Sequence, residues 1–479
     1  MNYKVISRVL GWVINIEAAC MLLPAICALC YGENKLALIF VLCAAICVAI
    51  AIPLTLIGRR SKDMFAKEGF LGVALSWVVM SILGALPFVM SGAIPRFVDA
   101  LFETASGFST TGASILSDVE VLPKSIIFWR SFTHWIGGMG VIVFLVALLP
   151  SSGGSTFHMM KAESPGYSVS KLVPKVKTTA KILYAIYLCM TVLEIILLLC
   201  GGMSLFEATT LSFGTAGTGG FSIVNSGIAD YSTYSQIVIT VFMFLFGIDF
   251  TFYYLILIRK IKDAFKLEEV LIYVVIVLLS VTLIFFNIKG LYQESGVALK
   301  DSAFQVATII STTGYATTDY NAWPMFSKTI IVLLMFSGAC AGSTAGGMKV
   351  SRIMILFKSI VKEVRVLTHP KITVKVKMNG RALEHETLRG VTVYFVAYML
   401  IFASALLLIS LDNFDFTTNF TAVLATLGNI GPGLEMVGPV GNYSAFSDFS
   451  TVIFTLLMII GRLEIFPMLI LLFGNIRKK

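Results

Sequence analysis

Long apolar runs alternate with polar connections along this chain, and ten of the runs approach the length of about 20 residues needed to cross a hydrocarbon core of about 30 Å. They fall at 9–31, 36–57, 70–92, 125–149, 181–200, 235–258, 269–287, 327–348, 390–411 and 449–473. The first run contains Glu17 and is of spanning length, unlike a short signal sequence, so it is expected to stay as a membrane helix. Between the third and fourth runs, and again in the next three pairs, lies a half-apolar segment too short to span. These segments end in Thr110-Thr111-Gly112, Thr218-Gly219-Gly220, Thr312-Thr313-Gly314 and Asn429-Ile430-Gly431. The pattern predicts an all-α polytopic membrane protein: two leading transmembrane helices, then four pseudo-symmetric repeats of helix, re-entrant pore loop and helix around one pore.

The expected division is an N-terminal two-helix extension at 1–68, pore repeat 1 at 69–150, a cytoplasmic loop at 151–180 and pore repeat 2 at 181–266. Pore repeat 3 follows at 267–357, then a second cytoplasmic loop at 358–389 and pore repeat 4 at 390–479. A register check is independent of the glycine motifs. Thirteen residues before Gly112, Gly220, Gly314 and Gly431 stand Asp99, Glu207, Asp301 and Thr418, all suited to a helix start, where an oxygen can meet free N–H groups and a carboxylate complements the positive dipole end. Each short half-helix would then aim its negative end at the pore centre.

Composition agrees. Hydrophobic residues make up 57% of 479 positions and charged residues 13%, with a mean hydropathy of +0.89, which a soluble enzyme could not sustain. The net charge of +9 does not indicate nucleic acid, because Lys and Arg cluster at 59–67, 161–181, 259–266, 349–389 and 477–479, blocks that lie on one side of the predicted spans. By the positive-inside rule these are cytoplasmic, and ten spans put both termini inside. On the other side the basic residues are outnumbered by acids including Asp99, Glu103, Asp118, Glu207, Asp230, Asp301, Asp319 and Glu435, a face that concentrates cations. The eight Cys lie in or beside apolar runs with neither zinc nor disulfide spacing and read as packing residues. In the second cytoplasmic loop, alternation over 372–377 followed by Asn379-Gly380 signals a hairpin turn.

The four glycine motifs carry the chemistry. Backbone carbonyl rings can replace the hydration shell of an alkali cation without fixed charge, and aligning successive carbonyls needs backbone angles that a Cβ resists. Gly112, Gly220, Gly314 and Gly431 suit that place. Thr110, Thr218, Thr312 and Asn429 offer side-chain oxygens at the inner mouth, while Thr111, Gly219, Thr313 and Ile430 precede the glycines. Ala113, Phe221, Tyr315 and Pro432 follow them and make the outer ring uneven. Four motifs in register argue against mere close helix packing.

A second irregular stretch, 338–347, holds Gly338, Gly342, Ser343, Thr344, Gly346 and Gly347 and should interrupt the eighth span beneath the ring as a gating loop. Arg462, deep in the last span, needs partners or water; Glu464 is too close to share its helix face, so the small-residue loop carbonyls are expected to bind it. Arg130 beside His134-Trp135 is expected to be interfacial or structurally paired. No Walker loop, HExxH motif or βαβ context supports an enzyme or a resident cofactor.

The residues resemble the membrane subunit of the Trk/Ktr/HKT superfamily of cation transporters. The resemblance spans nearly the whole chain and rests most on Ser109-Thr110-Thr111-Gly112-Ala113, Gly219-Gly220-Phe221-Ser222, Ser311-Thr312-Thr313-Gly314, Asn429-Ile430-Gly431-Pro432-Gly433, 341–347 and Gly461-Arg462-Leu463-Glu464. Residues 161–166 and His369-Pro370-Lys371 add to it. It implies potassium uptake across the bacterial inner membrane, a homodimer with one pore per protomer, and a potassium ion held at the four motifs. It also implies a cytosolic TrkA-like regulatory ring, through which alone a nucleotide (ATP, ADP or NADH) would act on the small-residue loop and Arg462. Gly112, where sodium-admitting members often carry Ser, favours potassium; Gly219 stands where a larger residue is common. A proton- or sodium-coupled secondary transporter is the alternative. It fits less well, because the repeats begin and end on the same side and no carboxylate lies in the motifs.

Overall fold

The computed structural model describes residues 2–58, 66–140, 176–371 and 373–473. The loop at 151–175 with its 161–166 motif, the second half of the fourth run and the terminal basic cluster lie outside the described residues. Six helices there are individually long and apolar enough to cross a membrane, and a bent pair makes a seventh.

The leading helices Tyr3–Cys30 and Asn34–Gly58 form an antiparallel pair joined at Gly32, whose φ is +74°. They pack closely because Gly11 and Gly58 leave no side chain at the crossing: a Cβ on Gly11 would lie 2.6 Å from Thr55 Cγ2. Leu38, Leu42, Ile46, Ile52 and Leu56 face outward, as a lipid-bathed surface requires.

Four half-helices follow at the predicted places: Phe97–Phe108, Leu205–Gly217, Ser295–Ile310 and Phe416–Gly428. With 12, 13, 16 and 13 residues they reach only about 18–24 Å at 1.5 Å per residue. Their starts differ from the expectation. Ser204 and Asp415 are the capping side chains of the second and fourth, and Glu207 closes a capping box with Ser204. Asp99, Glu207 and Thr418 therefore sit one turn inside. The third half-helix starts earlier, so Asp301 lies about two turns in, bonded by Thr317 Oγ1 at 3.2 Å and 3.5 Å from Lys300.

Three predicted spans are broken, the eighth at the small-residue stretch as expected and two others where no break was expected. The run 235–258 becomes Thr233–Phe246 and Phe250–Leu257, bent by 90°. Asp249 caps the second piece by accepting from Thr251 N at 2.8 Å, while Gly247 O and Phe250 N bond to Cys340 N and Gly342 O of the small-residue loop. The eighth run is helical only over Met325–Ser337 and resumes as Val350–Thr368. The last run breaks after Arg462, with Glu464 and Ile465 both at positive φ, before Phe466–Phe473. At the first and last of these breaks, groups within the run (the Gly247 and Phe250 backbone, and the Arg462 side chain) bond other segments. In the second polar loop, Lys377–Met378 pairs with Arg381–Ala382 across the Asn379-Gly380 turn, where both residues have positive φ.

Candidate functional site

Each half-helix ends in the same way. A residue in the left-handed region follows it: Thr110 (φ 54°), Thr218 (54°), Thr312 (58°) and Asn429 (54°). The next N–H turns back to the carbonyl five residues earlier, Thr111 to Ser106 (2.9 Å), Gly219 to Gly214 (2.8 Å), Thr313 to Thr308 (2.8 Å) and Ile430 to Ala425 (2.9 Å). This is the Schellman termination, which satisfies the helix carbonyls from within. The N–H groups are thereby consumed on the helix side.

Two residues after each left-handed position comes the glycine, with φ of 78°, 72°, 90° and 93° at Gly112, Gly220, Gly314 and Gly431. The four loops close on one another in chain order. A Cβ added to Gly112 would run into the carbonyl oxygen of Gly219, one on Gly220 into that of Thr313, one on Gly314 into that of Ile430, and one on Gly431 would stand 2.6 Å from that of Thr111. Each glycine thus abuts the carbonyl preceding the next repeat's glycine, and the fourth returns to the first. All four glycines, with Ala113, Phe221, Tyr315 and Pro432, line a single outer cavity of about 180 Å³. Among the described residues no three His, Cys, Asp or Glu side chains gather to hold a metal. The oxygens that meet the four glycines are the backbone carbonyls of Thr111, Gly219, Thr313 and Ile430.

The inner-mouth side chains are not equivalent. Thr312 Oγ1 accepts from Gly346 N at 2.7 Å, Thr218 donates to Gly217 O at 2.6 Å, and Asn429 donates to Thr111 Oγ1 (2.9 Å) and Met458 O (2.8 Å). The hydroxyl of Thr110 is buried without a hydrogen-bond partner.

Directly beneath lies the small-residue loop. Gly338, Gly342 and Gly347 have positive φ, Ser343 Oγ bonds Cys340 O, and the Gly346 contact with Thr312 joins the loop to the base of the ring. Arg462 donates to Thr344 O (2.7 Å), Gly137 O (2.6 Å) and Gly138 O (2.7 Å), so the loop carbonyl expected from sequence is one partner and the end of the helix Lys124–Gly138 supplies the others. Glu464 instead pairs with Arg352.

The TrkH family model, described as a cation transport protein, matches residues 39–477. The chain belongs to the TrkH family. It is 34% identical over 98% of both chains to the Trk system potassium uptake protein TrkH of Salmonella typhimurium. It is 30% identical to the Trk system potassium uptake protein TrkG of Escherichia coli, covering 99% of this chain and 98% of TrkG. Among solved structures, the potassium transporter TrkH from Vibrio parahaemolyticus matches with a TM-score of 0.88 at 32% identity, over 98% of this chain and 99% of that one. The chain is thus a multi-pass membrane protein of a transport family.

Several groups around the site of this TrkH-family chain escaped the sequence reading. Glu269 accepts from Ala341 N (2.6 Å) and Ser351 N (3.0 Å) and so clasps both ends of the small-residue loop. Tyr443 OH donates to Gly431 O at 2.8 Å, and the already expected Tyr315 also bonds Leu211 O through its OH at 3.0 Å; both brace the ring from outside. No local pattern marks such long-range partners. Arg130 is structurally paired as expected: its guanidinium bonds Glu103 (2.6 Å) and Ser222 O (2.9 Å) and covers the Phe221 ring at 3.5 Å. Glu103 is therefore a buried partner rather than a free acid of the outer face. Nearer the surface, the Asn225 side chain donates to Asp118 and holds its carboxyl below the usual range.

Proposed function

We propose that this chain takes up potassium across the bacterial inner membrane, with both termini cytoplasmic, and that the ring is its selectivity filter. The reading rests on one observation: the four glycines meet the preceding carbonyls of the next loops in a closed cycle. Thr111, Gly219, Thr313 and Ile430 supply those carbonyls, which replace water around the dehydrated ion. Negative half-helix ends point toward the same region and add attraction. Relatives named as potassium uptake proteins and a structure named as a potassium transporter support the cargo.

The loop at 338–347, tied to Arg462, is the gate in this reading. A positive guanidinium beneath the ring opposes a permeant cation, and its bonds to Thr344 O on one side and to Gly137 O and Gly138 O on the other tie the loop to the end of the helix Lys124–Gly138. A homodimer regulated by a TrkA-like nucleotide-binding ring is the expected assembly. The basic helix Val350–Thr368, continuous with the loop, offers that partner a lever.

The test is flux from proteoliposomes under opposed potassium and sodium gradients. Potassium-selective flux that Gly314→Asp abolishes is expected; full flux in that variant excludes the ring as the path. A reversal potential that shifts with an imposed pH gradient would favour the proton-coupled alternative.

A further inference from the structure

The second repeat lacks something the other three possess. At the position before the ring glycine the other loops carry side chains, Thr111, Thr313 and Ile430, and the two threonines are each held by a serine hydroxyl at 2.7 Å, from Ser109 and Ser311. The second loop has Gly219, whose carbonyl abuts Gly112 of the neighbouring loop but which has no side chain to hold it. Glycine gives its peptide the widest backbone freedom of any residue.

The missing volume is supplied from another element. A Cβ on Gly219 would collide with the imidazole of His134, with Cδ2 2.6 Å away, so the ring occupies the space that a side chain at 219 would take. The same imidazole stacks on Phe221 with centroids 4.1 Å apart and planes inclined by 21°. Arg130, one turn earlier on the helix, covers Phe221 as well. His134 is fully buried, and neither ring nitrogen has a hydrogen-bond partner. Its polar atoms therefore explain nothing about its place; its flat ring, touching residues on both sides of Gly220, does.

We infer that His134 is a positioning residue for ion selectivity, immobilising the Gly219 carbonyl by filling the void beside it and clamping Phe221. The inference rests on the filter reading above.

The experiment measures potassium-to-sodium permeability ratios from reversal potentials in proteoliposomes, for purified variants that remain monodisperse. A ratio does not depend on how much protein folds, so a merely structural role would leave it unmoved. His134→Ala should lower the ratio by about tenfold, equivalent to a modest change in differential ion binding. Gly219→Ala should lose most flux, because its methyl meets the imidazole. The double variant should recover flux and ratio, the new methyl entering the vacated space. A ratio within about twofold of the parent in His134→Ala overturns the inference. So does equal impairment of Gly219→Ala with and without His134. If His134→Ala does not assemble, the double variant decides alone, and failure to restore flux refutes the coupling. Gly314→Asp separates the two layers: retained flux there removes the filter reading itself, whereas lost flux with an unchanged His134→Ala ratio removes only the role of His134.

Discussion

Gly431→Ala isolates what the closed ring requires of a glycine. The backbone there has φ of 93°, and a residue with a Cβ in the left-handed half of the map costs about 1–2 kcal/mol. The added methyl would also stand 2.6 Å from Thr111 O, 2.9 Å from Gly112 C and 3.1 Å from Gly112 O. Carbon and oxygen settle at about 3.3 Å or more, so the first-repeat carbonyl must retreat by about 0.7 Å. If strain of 1–2 kcal/mol falls on the ion-bound geometry, potassium affinity drops by a factor of about 5–30. The assay is the potassium dependence of flux in proteoliposomes, read as the half-saturating concentration, together with the potassium-to-sodium ratio. Gly380→Ala is the control: its φ of 74° imposes similar backbone strain in the short hairpin 377–382, but nothing lies within 4 Å of the new methyl. An unchanged half-saturation in Gly431→Ala, or an equal shift in Gly380→Ala, would refute the reasoning.

Arg462→Ala removes three charge-assisted bonds, each worth about 1.5–3 kcal/mol, so basal potassium flux should rise more than about tenfold; a fall would contradict a blocking role. Arg130→Ala leaves Glu103 buried without its counter-charge and should cost about 3–5 kcal/mol, seen as a lower melting temperature in detergent, with Arg130→Ala/Glu103→Gln recovering part of it. Asp415 caps the fourth half-helix. Burial raises its pKa, but bonds from Thr418 outweigh this and leave it lowered, so the cap is intact above the ordinary carboxylate range and fades as pH falls through the lowered value. Asp415→Ala should therefore cost about 1 kcal/mol near neutral pH and progressively less in strong acid, where equal costs at both pH values would count against the cap.

The architecture was legible because bilayer thickness imposes a length on every spanning helix, and the half-apolar segments before Gly112, Gly220, Gly314 and Gly431 violate that length in a repeated way. The loop carbonyl partner of Arg462 was legible too, since a buried guanidinium has few places to go. What escaped were groups defined by distant contacts. Asp249 is the only charge in the predicted span 235–258, yet it caps a helix after a right-angle bend whose free backbone groups bond the small-residue loop. Glu269 sits in the first turn of an otherwise ordinary apolar helix, and nothing local announces that it holds Ala341 and Ser351. The starts of the second and fourth half-helices were misplaced by about a turn because their caps, Ser204 and Asp415, lie three residues before the positions that the glycine register selects, and the third starts about two turns early.

The cyclic meeting of the four loops occurs within one polypeptide whose quadrants differ in chemistry: a proline follows one glycine, an aromatic ring two others, and a methyl the fourth. A channel assembled from identical subunits changes on all sides with every mutation. Here a single codon alters one side alone, so under the proposed filter reading ion preference drifts in small steps while three unaltered sides keep the pathway open.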